Sequence, residues 1–419
     1  MSEIMSEKNN AELRTLNSEL PEGWRWVRLG EVLKEPLKNG LNYSKEDFGT
    51  GVRFVNVSDV FCPLVINFTK LDRINISPRD TEKYHLKTGD ILIVRSSLKR
   101  EGVAYPALFE ENDEPVVFCG FLIRIRPDKE KIEPFYLLNY LRSSIARERL
   151  VGDSDTVTIT NVDQGTLLYL DIPLPPLPEQ KRIASKIQEL TQEIERSRTA
   201  CEKQLEAAKA LPAAYLREVF ESEEAKKWER KRLGEVCEID SNQVIPDSNL
   251  AKQLPYIGLE HIESETGRII EKINDSNGKA IQSNTFRFDS RHVLYGKLRP
   301  YLNKVATPDF EGRCTTELLP LLPKDGCDRN YLAWLLKRQE TVEEAMRHKT
   351  GSRMPRADID KLFKMLIPFP PISIQQQIAS YLKGKMAEVE NLQSAIRNQQ
   401  FALDALPQAI LRKAFRGEL

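Results

Sequence analysis

The sequence predicts an α+β protein built from two tandem units, each a mixed α/β globule followed by one long helix. Three observations lead to this prediction. Residues 178–220 are repeated at 373–415 without a gap. Both copies carry apolar residues at alternating steps of three and four, the spacing of a helix that packs against another helix. Short apolar runs broken by Gly, Pro, Asn and Asp precede each copy, as expected of strands joined by turns.

The two long helices are predicted to pair along a seam with a period of about 3.5 residues over roughly four heptads. Each would form a rod of around 45 Å, from roughly 30 residues at about 1.5 Å each. A Leu-Pro step near the far end is predicted to close each helix. The alternative, an amphipathic helix on a globular core, is weakened because both copies occupy matched places in the repeat.

Polar residues interrupt the predicted seam and are expected to weaken the pair while fixing its register. They are Ser197, Gln204, Lys385 and Gln399. The predicted apolar seam residues are Ile183, Ile187, Leu190, Ile194, Ile378, Leu382, Val389, Leu392, Ile396 and Leu403.

Each globule is predicted to have a β core with one helical segment. The predicted elements are strands at 52–57, 89–95, 115–118 and 121–125 with a helix at 135–149, and in the second globule strands at 254–259 and 292–297 with a helix at 330–337. The predicted divisions of the chain are a flexible tail at 1–19, a first globular domain at 20–174, a long helix at 175–222, a second globular domain at 223–369 and a second long helix at 370–419.

The composition is that of an ordinary soluble protein, with 30% charged and 40% hydrophobic residues. Lys plus Arg and Asp plus Glu both number 62, so nucleic-acid binding would require local basic patches or a partner. Six scattered Cys without a CxxC pair and four isolated His indicate reduced thiols and no metal site. No apolar run approaches the ~20 residues of a membrane span, so a cytoplasmic protein without a membrane partner is expected.

The sequence contains only weak candidates for catalytic motifs. Phe-Gly-Thr-Gly at 48–51 resembles the glycine turn of a methyl-donor pocket, but it follows charged residues and lacks an accompanying Asn/Asp-Pro-Pro-Tyr/Phe motif. There is no GxxxxGK[ST] phosphate loop, and no Ser/His/Asp or Cys/His arrangement stands out. We therefore predict a binding protein rather than an enzyme.

Basic loops at equivalent places in the two globules are the candidate binding sites. The loop at 95–100 follows a predicted strand, and 297–304 follows the matching strand in the second globule. A basic segment at 348–356 corresponds to the hydroxyl-rich, acidic segment 152–158. Each could be an ordinary solvated charge run, but different residues at equivalent places favour paired readers of different DNA sequences. The candidate DNA-contacting residues, assigned at loop level, are Arg53, Asn56, Arg95, Ser96, Lys99, Arg100, Lys297, Arg299, Asn303, Lys304, Lys349, Arg353 and Arg356.

Three short motifs, each present twice, carry a resemblance to a known family. They are Arg-Leu-Gly-Glu-Val at 28–32 and 232–236, IPxPPxxxQ at 172–180 and 367–375 followed by Ile-Ala-Ser, and ALPxAxLRxxF at 210–220 and 405–415. With these motifs the chain resembles, over nearly its whole length, the specificity (S) subunit of type I restriction–modification systems. Ser-Ile replaces Pro-Glu at the second helix start, which is expected to change that start locally but not the function.

The resemblance implies that each globule is a target recognition domain that reads one half of a split, asymmetric site in double-stranded DNA. The two helices are implied to pair antiparallel as a spacer, in a pseudo-two-fold, nearly circular arrangement. They would hold two modification subunits, which methylate adenine, and restriction subunits would join that core.

The chain itself is implied to be non-catalytic, with S-adenosylmethionine, ATP and Mg²⁺ expected only in partner subunits. The alternatives are a coiled-coil interaction scaffold with no DNA role and a decoy relative without active partners. A fused methyltransferase or nuclease would need a catalytic motif that the sequence does not supply.

Overall fold

The computed structural model describes residues 20–61, 64–97, 102–110, 113–151, 160–246, 248–272 and 283–419. They form two compact units, the first comprising residues up to 200 with 399–419 and the second residues 201–398. Both long helices contribute to both units. The units therefore do not test the predicted domain boundaries, which stay predictions, and the predicted tail at 1–19 lies outside the described residues.

The first unit is a mixed α/β globule with two main sheets. Its strands are β1 (Arg25–Arg28), β2 (Leu33–Asn39), β3 (Phe48–Val55), β4 (Asp72–Ile74), β5 (Ile91–Val94), β6 (Ser96–Ser97), β7 (Pro106–Leu108), β8 (Val116–Phe118), β9 (Leu122–Pro127), β10 (Thr160–Asn161) and β11 (Asp171–Leu174). Its helices are α1 (Val57–Val60), α2 (Pro78–Tyr84), α3 (Pro134–Arg142), α4 (Ser144–Val151), α5 (Gln164–Leu168) and the start of α6 (Leu177–Phe220). The sheets have the strand orders β2-β9-β5-β7 and β4-β3-β8.

The second unit repeats this plan. Its strands are β12 (Arg230–Arg232), β13 (Cys237–Ile239), β14 (Gln243–Val244), β15 (Tyr256–Ile257), β16 (Thr285–Phe288), β17 (Val293–Gly296), β18 (Val305–Ala306), β19 (Gly312–Thr315), β20 (Leu318–Pro323) and β21 (Leu366–Pro368). Its helices are α7 (Leu233–Val236), α8 (Asn249–Gln253), α9 (Arg329–Lys337), α10 (Gln339–Arg347), α11 (Ile359–Leu362) and most of α12 (Ile372–Ala414). The sheets have the orders β13-β20-β17-β18 and β14-β16-β19-β15.

The predicted fold class is therefore confirmed, with one local difference. The helix predicted at 135–149 is two helices, α3 and α4, because Ser143 adopts an extended backbone between them. The Phe-Gly-Thr-Gly segment at 48–51 opens strand β3, where the pairing with β4 shifts register, and is not a helix-preceding turn.

One central strand organises the core of each globule. All four residues of β5 are buried, with Ile91 and Ile93 in one hydrophobic cluster and Leu92 and Val94 in another. Successive side chains of a strand point to opposite faces, so β5 is covered on both sides. Strand β17 is divided in the same way between two clusters. This double coverage explains the continuous apolar runs in the sequence.

A buried glutamine joins each long helix to its globule. Gln180 donates from Nε2 to the carbonyls of Lys131 (3.1 Å) and Pro175 (2.8 Å), and its Oε1 accepts from the backbone N–H of Glu133 at 2.9 Å. Glu133 in turn caps α3. The amide is thus fully paired in a buried site, as buried polar groups require.

Gln375 makes the same three bonds in the second unit. Its Nε2 donates to the carbonyls of Gly326 (3.0 Å) and Pro370 (2.8 Å), and its Oε1 accepts from the N–H of Asp328 (2.8 Å), the cap of α9. Helices α6 and α12 begin at equivalent residues, so the predicted local change at the second helix start is wrong.

The C-terminal end of each long helix packs into the globule that precedes the other long helix in the chain. In the first unit Phe415 lies edge-on against Tyr136 and Tyr140, with ring centroids 5.3 and 5.1 Å away. In the second unit Phe220 packs on Tyr331 at 5.7 Å. The tyrosine hydroxyls donate to the strand before each helix, Tyr136 to the carbonyl of Pro173 and Tyr331 to that of Pro368.

The two long helices pack antiparallel within each unit, as predicted. In the first unit Arg198 pairs with Asp404 at 2.9 Å, while Arg182, earlier in α6, reaches the carbonyl of Leu419. In the second unit Gln393 donates to the carbonyl of Ala208, and Tyr381 donates to Glu218, which is later in α6. Residue numbers therefore fall along α12 as they rise along α6.

The helices are longer than predicted, because the Leu-Pro steps do not close them. Pro212 and Pro407 lie inside α6 and α12, which have 44 and 43 residues and are each about 65 Å long. A proline leaves the carbonyl four residues earlier without its helical partner. For Pro212 that carbonyl is the one on Ala208, and Gln393 of the neighbouring helix donates to it at 3.3 Å.

The buried stripe departs from a strict 3.5-residue period. The seam prediction agrees with the burial of Ile183, Ile187, Ile194, Ile378, Leu382, Val389 and Ile396, while Leu190 and Leu403 are half-buried. Leu392 is 45% exposed, so it is not part of the stripe, and Gln204 and Gln399 are exposed as well. A straight helix with 3.6 residues per turn drifts about 20° per heptad, which brings Leu205 and Gln393 inward instead.

We expect Gln180→Leu to lower the free energy of unfolding of the first unit by at least about 2 kcal/mol. The leucine fills the site but leaves three backbone groups unpaired, one at a buried and two at partly buried hydrogen bonds, and an unpaired buried group costs roughly 1–3 kcal/mol. Urea denaturation measures the loss, and hydrogen exchange at the Glu133 amide localises it. Gln192→Leu, at an exposed position on the same helix, is the control. Equal midpoints for both variants would contradict the assigned role.

Candidate nucleic-acid interface

The two basic loops of the second unit lie side by side. Leu298 forms a bridge with Arg356, the N–H of Arg299 donates to the carbonyl of Pro355 at 2.6 Å, and the N–H of Ala357 donates to the carbonyl of Lys297 at 2.8 Å. Segments 297–304 and 348–356 thus form one surface at the end of β17, which we call the paired-loop surface. The sequence predicted the two loops separately, without this contact.

The backbone of the first loop is held in an unusual conformation. Arg299 and Asn303 both have positive φ, 52° and 48°, on either side of a tight turn at Pro300–Leu302. Such angles are uncommon for residues with side chains and require support from their surroundings. That support includes the bond from Arg299 to Pro355 and one from Asn303 Nδ2 to the carbonyl of Lys337 at 2.9 Å. The loop is therefore preorganised.

The exposed side chains of the paired-loop surface combine cations with large apolar groups. Arg299, Lys349 and Arg353 are exposed. Tyr301, two residues after Arg299, is 51% exposed, and Met354, directly after Arg353, is 45% exposed. Guanidinium groups can contact phosphates and guanine edges, and aromatic rings can stack on bases. Tyr301 and Met354 were not among the predicted contacts, although both lie within the predicted loops.

Several predicted contact residues are used inside the unit instead. Arg356 forms a bidentate ion pair with Glu317, with Nε and Nη2 about 3 Å from its carboxylate oxygens. Lys304 donates to the carbonyl of Leu259 at 2.7 Å, and burial lowers the pKa of its ammonium group. Asn303 likewise donates to the carbonyl of Lys337, so these three side chains stabilise the loops from within the unit. Lys297, the first residue of the paired-loop surface, is half-buried.

The first unit has the same construction at its equivalent place. Strand β6 pairs with β10, so that Ser96 lies opposite Asn161, and the N–H of Val162 donates to the carbonyl of Arg95 at 2.9 Å. The side chains of Arg95 and Asn161 are exposed, and Phe121 beside them is 57% exposed. The predicted contacts Lys99 and Arg100, and the segment at 152–158, lie outside the described residues.

Two predicted contacts of the first unit belong to its smaller sheet. Arg53 in β3 forms an ion pair with Glu114 at 2.7 Å, and Arg73 binds the same carboxylate. Hydrogen bonding by Arg73 lowers the pKa of Glu114 below its ordinary value. Asn56 caps α1 by accepting from the N–H of Val57 at 2.9 Å. Both side chains are occupied by these structural contacts.

Two buried cysteines among the described residues are poor nucleophiles. Burial raises the pKa of the Cys119 thiol to about 11 and that of Cys237 to about 12, so both stay protonated and poorly nucleophilic at neutral pH. In the part of the chain that the structure describes, no cluster of three or more His, Cys, Asp and Glu could hold a metal ion. Among the helices described, none has an apolar stretch long enough to cross a bilayer.

Comparison with known proteins places the chain in a family. The model of the type I restriction modification DNA specificity domain matches it twice, at residues 21–206 and 225–399. A putative type I restriction enzyme MjaX specificity subunit from Methanocaldococcus jannaschii is 31% identical over 97% of this chain and 96% of its own length. The chain belongs to the type I restriction–modification specificity-subunit family.

Further relatives agree with this membership. The specificity subunit of the type I restriction enzyme EcoDI from Escherichia coli is 26% identical, with 96% of this chain and 89% of that protein covered. The crystal structure of the HsdS subunit from Thermoanaerobacter tengcongensis has the same fold, with a TM-score of 0.67 and 24% identity over 97% of this chain and 100% of that one.

The motifs that carried the resemblance to the specificity-subunit family lie where each globule meets its helices. Arg-Leu-Gly-Glu-Val forms a short turn in both units, with the N–H of Arg28 or Arg232 donating to the glutamate three residues later at 2.8 Å. The IPxPPxxxQ motif supplies Gln180 and Gln375, which join each globule to its long helix and which we call the glutamine joint. The last residue of ALPxAxLRxxF is Phe220 or Phe415, which packs against globule tyrosines and which we call the aromatic plug. Each repeated motif therefore contributes at least one residue that holds the fold together in this family member.

We expect Glu317→Gln to loosen the paired-loop surface, because Arg356 then loses a charged, bidentate partner. Hydrogen exchange at the Arg299 amide, which donates to Pro355 in the adjacent segment, should accelerate severalfold. Glu343→Gln, at an exposed site on α10, serves as the control and should leave that amide unchanged. Unaltered protection in Glu317→Gln would mean that backbone bonds alone hold the two loops together.

Proposed function

We propose that this chain is the DNA-recognition subunit of a type I restriction–modification complex. In this proposal each unit reads one half of a split, asymmetric site through the loops at the end of its central strand. The observation that carries it is the paired-loop surface. The same backbone pairing recurs after β5 and β17, whereas the exposed residues on it differ, with Arg95, Asn161 and Phe121 in one unit and Arg299, Tyr301 and Arg353 in the other.

The paired helices are proposed to set the spacing between the half-sites and to hold two modification subunits. Two readers held on one rigid support bind DNA far more tightly than either alone, because the second contact becomes intramolecular. Exposed apolar residues on α12, including Phe401 at 80% exposure, support a role as a docking surface. Restriction subunits would join this assembly.

Catalysis is proposed to belong to the partners. Methylation of adenine requires a flipped base and a pocket for it, and S-adenosylmethionine, ATP and Mg²⁺ would be bound by the modification and restriction subunits. A cytoplasmic location follows from the need to reach DNA together with these partners. The net charge of zero suggests that the partners also supply much of the electrostatic affinity.

The decisive experiment is single-molecule methylation sequencing of DNA from a host that expresses this chain with its cognate modification subunit. We expect a split motif with modified adenine in each half. Exchange of segments 297–304 and 348–356 for those of another family member should change only the half read by the second unit. A soluble, assembled complex that modifies no split motif would favour the decoy or scaffold alternative.

Arg353→Ala should weaken DNA binding by the assembled complex and reduce the slope of log affinity against log salt by about one, because one phosphate contact is lost. Arg291→Ala is the matched control. Arg291 is an exposed arginine that precedes the start of β17, whereas the paired-loop surface follows the end of this strand. Fluorescence anisotropy at several salt concentrations measures both variants. Equal slopes for the two variants would remove Arg353 from the interface.

The isolated chain is expected to bind DNA weakly and with strong salt dependence, since its net charge is zero and its basic surface is confined to loops. A gel-shift titration with and without modification subunits tests this. Tight, salt-resistant binding by the chain alone would contradict it.

A further inference from the structure

The first unit contains an open cavity of about 860 Å³ whose lining is strongly basic. Five lysine and arginine side chains line it against two carboxylates, although the chain as a whole has no net charge. The cavity is formed by β2, β9 and α2. Its volume lies in the range that proteins use for small-molecule ligands.

The floor of the cavity is a fixed pair of arginines. Arg126 makes a bidentate ion pair with Asp90, with Nε and Nη2 each 2.7 Å from its oxygens, and a third bond to Glu35 at 2.6 Å. Arg124 binds the other oxygen of Glu35 at 2.7 Å. Both arginines are more than nine-tenths buried, so their guanidinium groups are held in place.

The carboxylates do not neutralise this floor and its rim. Glu35 is shared by both arginines and lies 3.9 Å from Lys87. Nε of Arg124 is buried without a hydrogen-bond partner among the described residues. With Glu82 in the lining and Asp90 behind Arg126 included, five cations face three carboxylates, so positive charge predominates here.

Two lysines at the rim remain without a carboxylate partner in the part of the chain that the structure describes. Lys38 donates one hydrogen to the carbonyl of Lys83 at 2.5 Å, which leaves two of its three donors for another acceptor. Burial lowers the pKa of Lys38, and the nearby cations Arg124 and Lys83 lower it further. An anion placed between these groups would relieve this repulsion.

Part of the lining is apolar and consists of Ile76, Pro78 and Pro115. We propose that this cavity binds a phosphorylated small molecule, with its phosphate between Lys38, Lys83 and the arginine floor and its organic part against the apolar part of the lining. The phosphate supplies the negative charge and the acceptor oxygens that the basic lining lacks, and the volume accommodates a group of nucleotide size.

This cavity is separate from the surface proposed to read DNA. Asp90 precedes β5 and Arg95 follows it, so about 16 Å of extended strand lies between the two places. Arg126 is the next-to-last residue of β9 and Arg124 lies in its middle, whereas Phe121 precedes its start. The proposal therefore does not depend on the DNA-recognition function.

Isothermal titration of the purified full chain at constant ionic strength in chloride buffer tests the cavity. The probes are inorganic phosphate, AMP and, as the uncharged control, adenosine. We expect one saturable site for the phosphate-bearing probes and none for adenosine. Tighter binding of AMP than of phosphate would identify a phosphorylated organic ligand, and equal binding would identify the phosphate group alone; both support the shared chemistry.

Variants separate the cavity from general charge effects. Lys38→Met should weaken phosphate and AMP binding at least tenfold, and Lys83→Met, at an exposed position less important for folding, should do so severalfold. Lys70→Met removes an exposed lysine elsewhere in the same unit and should change nothing. The proposal is overturned if neither probe gives a saturable signal, or if Lys70→Met weakens binding as much as the two cavity variants.

Discussion

The structure depends on one buried amide at the start of each long helix. A glutamine side chain has two donor hydrogens and one acceptor oxygen, and in a buried position all of them need partners. Gln180 and Gln375 satisfy this need with three backbone groups each, from the segment before the helix and from the cap of a globule helix. Because backbone positions are involved on both sides, each globule is fixed to the helix that follows it.

The glutamine joint belongs to the part of each unit that both units share, whereas the exposed loop residues differ between the units. The glutamine joint, the terminal phenylalanine and the central strand covered on both faces recur in both units. The glutamine and the phenylalanine are the same residues in each unit, whereas the central strands differ in sequence. At the far end of the same strand, backbone hydrogen bonds hold the paired loops, while exposed side chains are left for contact with a partner. A chain can therefore carry two different binding surfaces on one design.

The sequence predicted the two tandem units and their long helices from its internal repeat and helical spacing, whereas the antiparallel pairing of the helices was implied by the family resemblance. It could not show that segments 297–304 and 348–356 are neighbours, since that contact arises only when β17 and the region before α12 are folded together. It also could not show that Arg356 and Arg53 are taken by Glu317 and Glu114, because charge pairing is decided in three dimensions.

The long helices illustrate the same limit. Pro212 is a helix breaker by local rules, yet α6 continues through it, and a side chain from the antiparallel helix donates to the carbonyl that the proline leaves open. The predicted seam residue Leu392 is exposed, although Val389 and Ile396, the predicted seam positions before and after it, are buried. In both cases the folded structure differs from what the local pattern predicts.

The first unit is built from two separate stretches of the chain, up to residue 200 and 399–419, and this affects how it can fold during synthesis on the ribosome. Its core includes Leu411, Ala414 and Phe415, whereas the second unit is formed from the single continuous stretch 201–398. Since a chain emerges from its amino end, the second unit can complete its core while the first still lacks its last aromatic plug. We therefore expect the unit that is translated first to complete its core last, because Phe415, which packs against Tyr136 and Tyr140, is among the last residues to emerge.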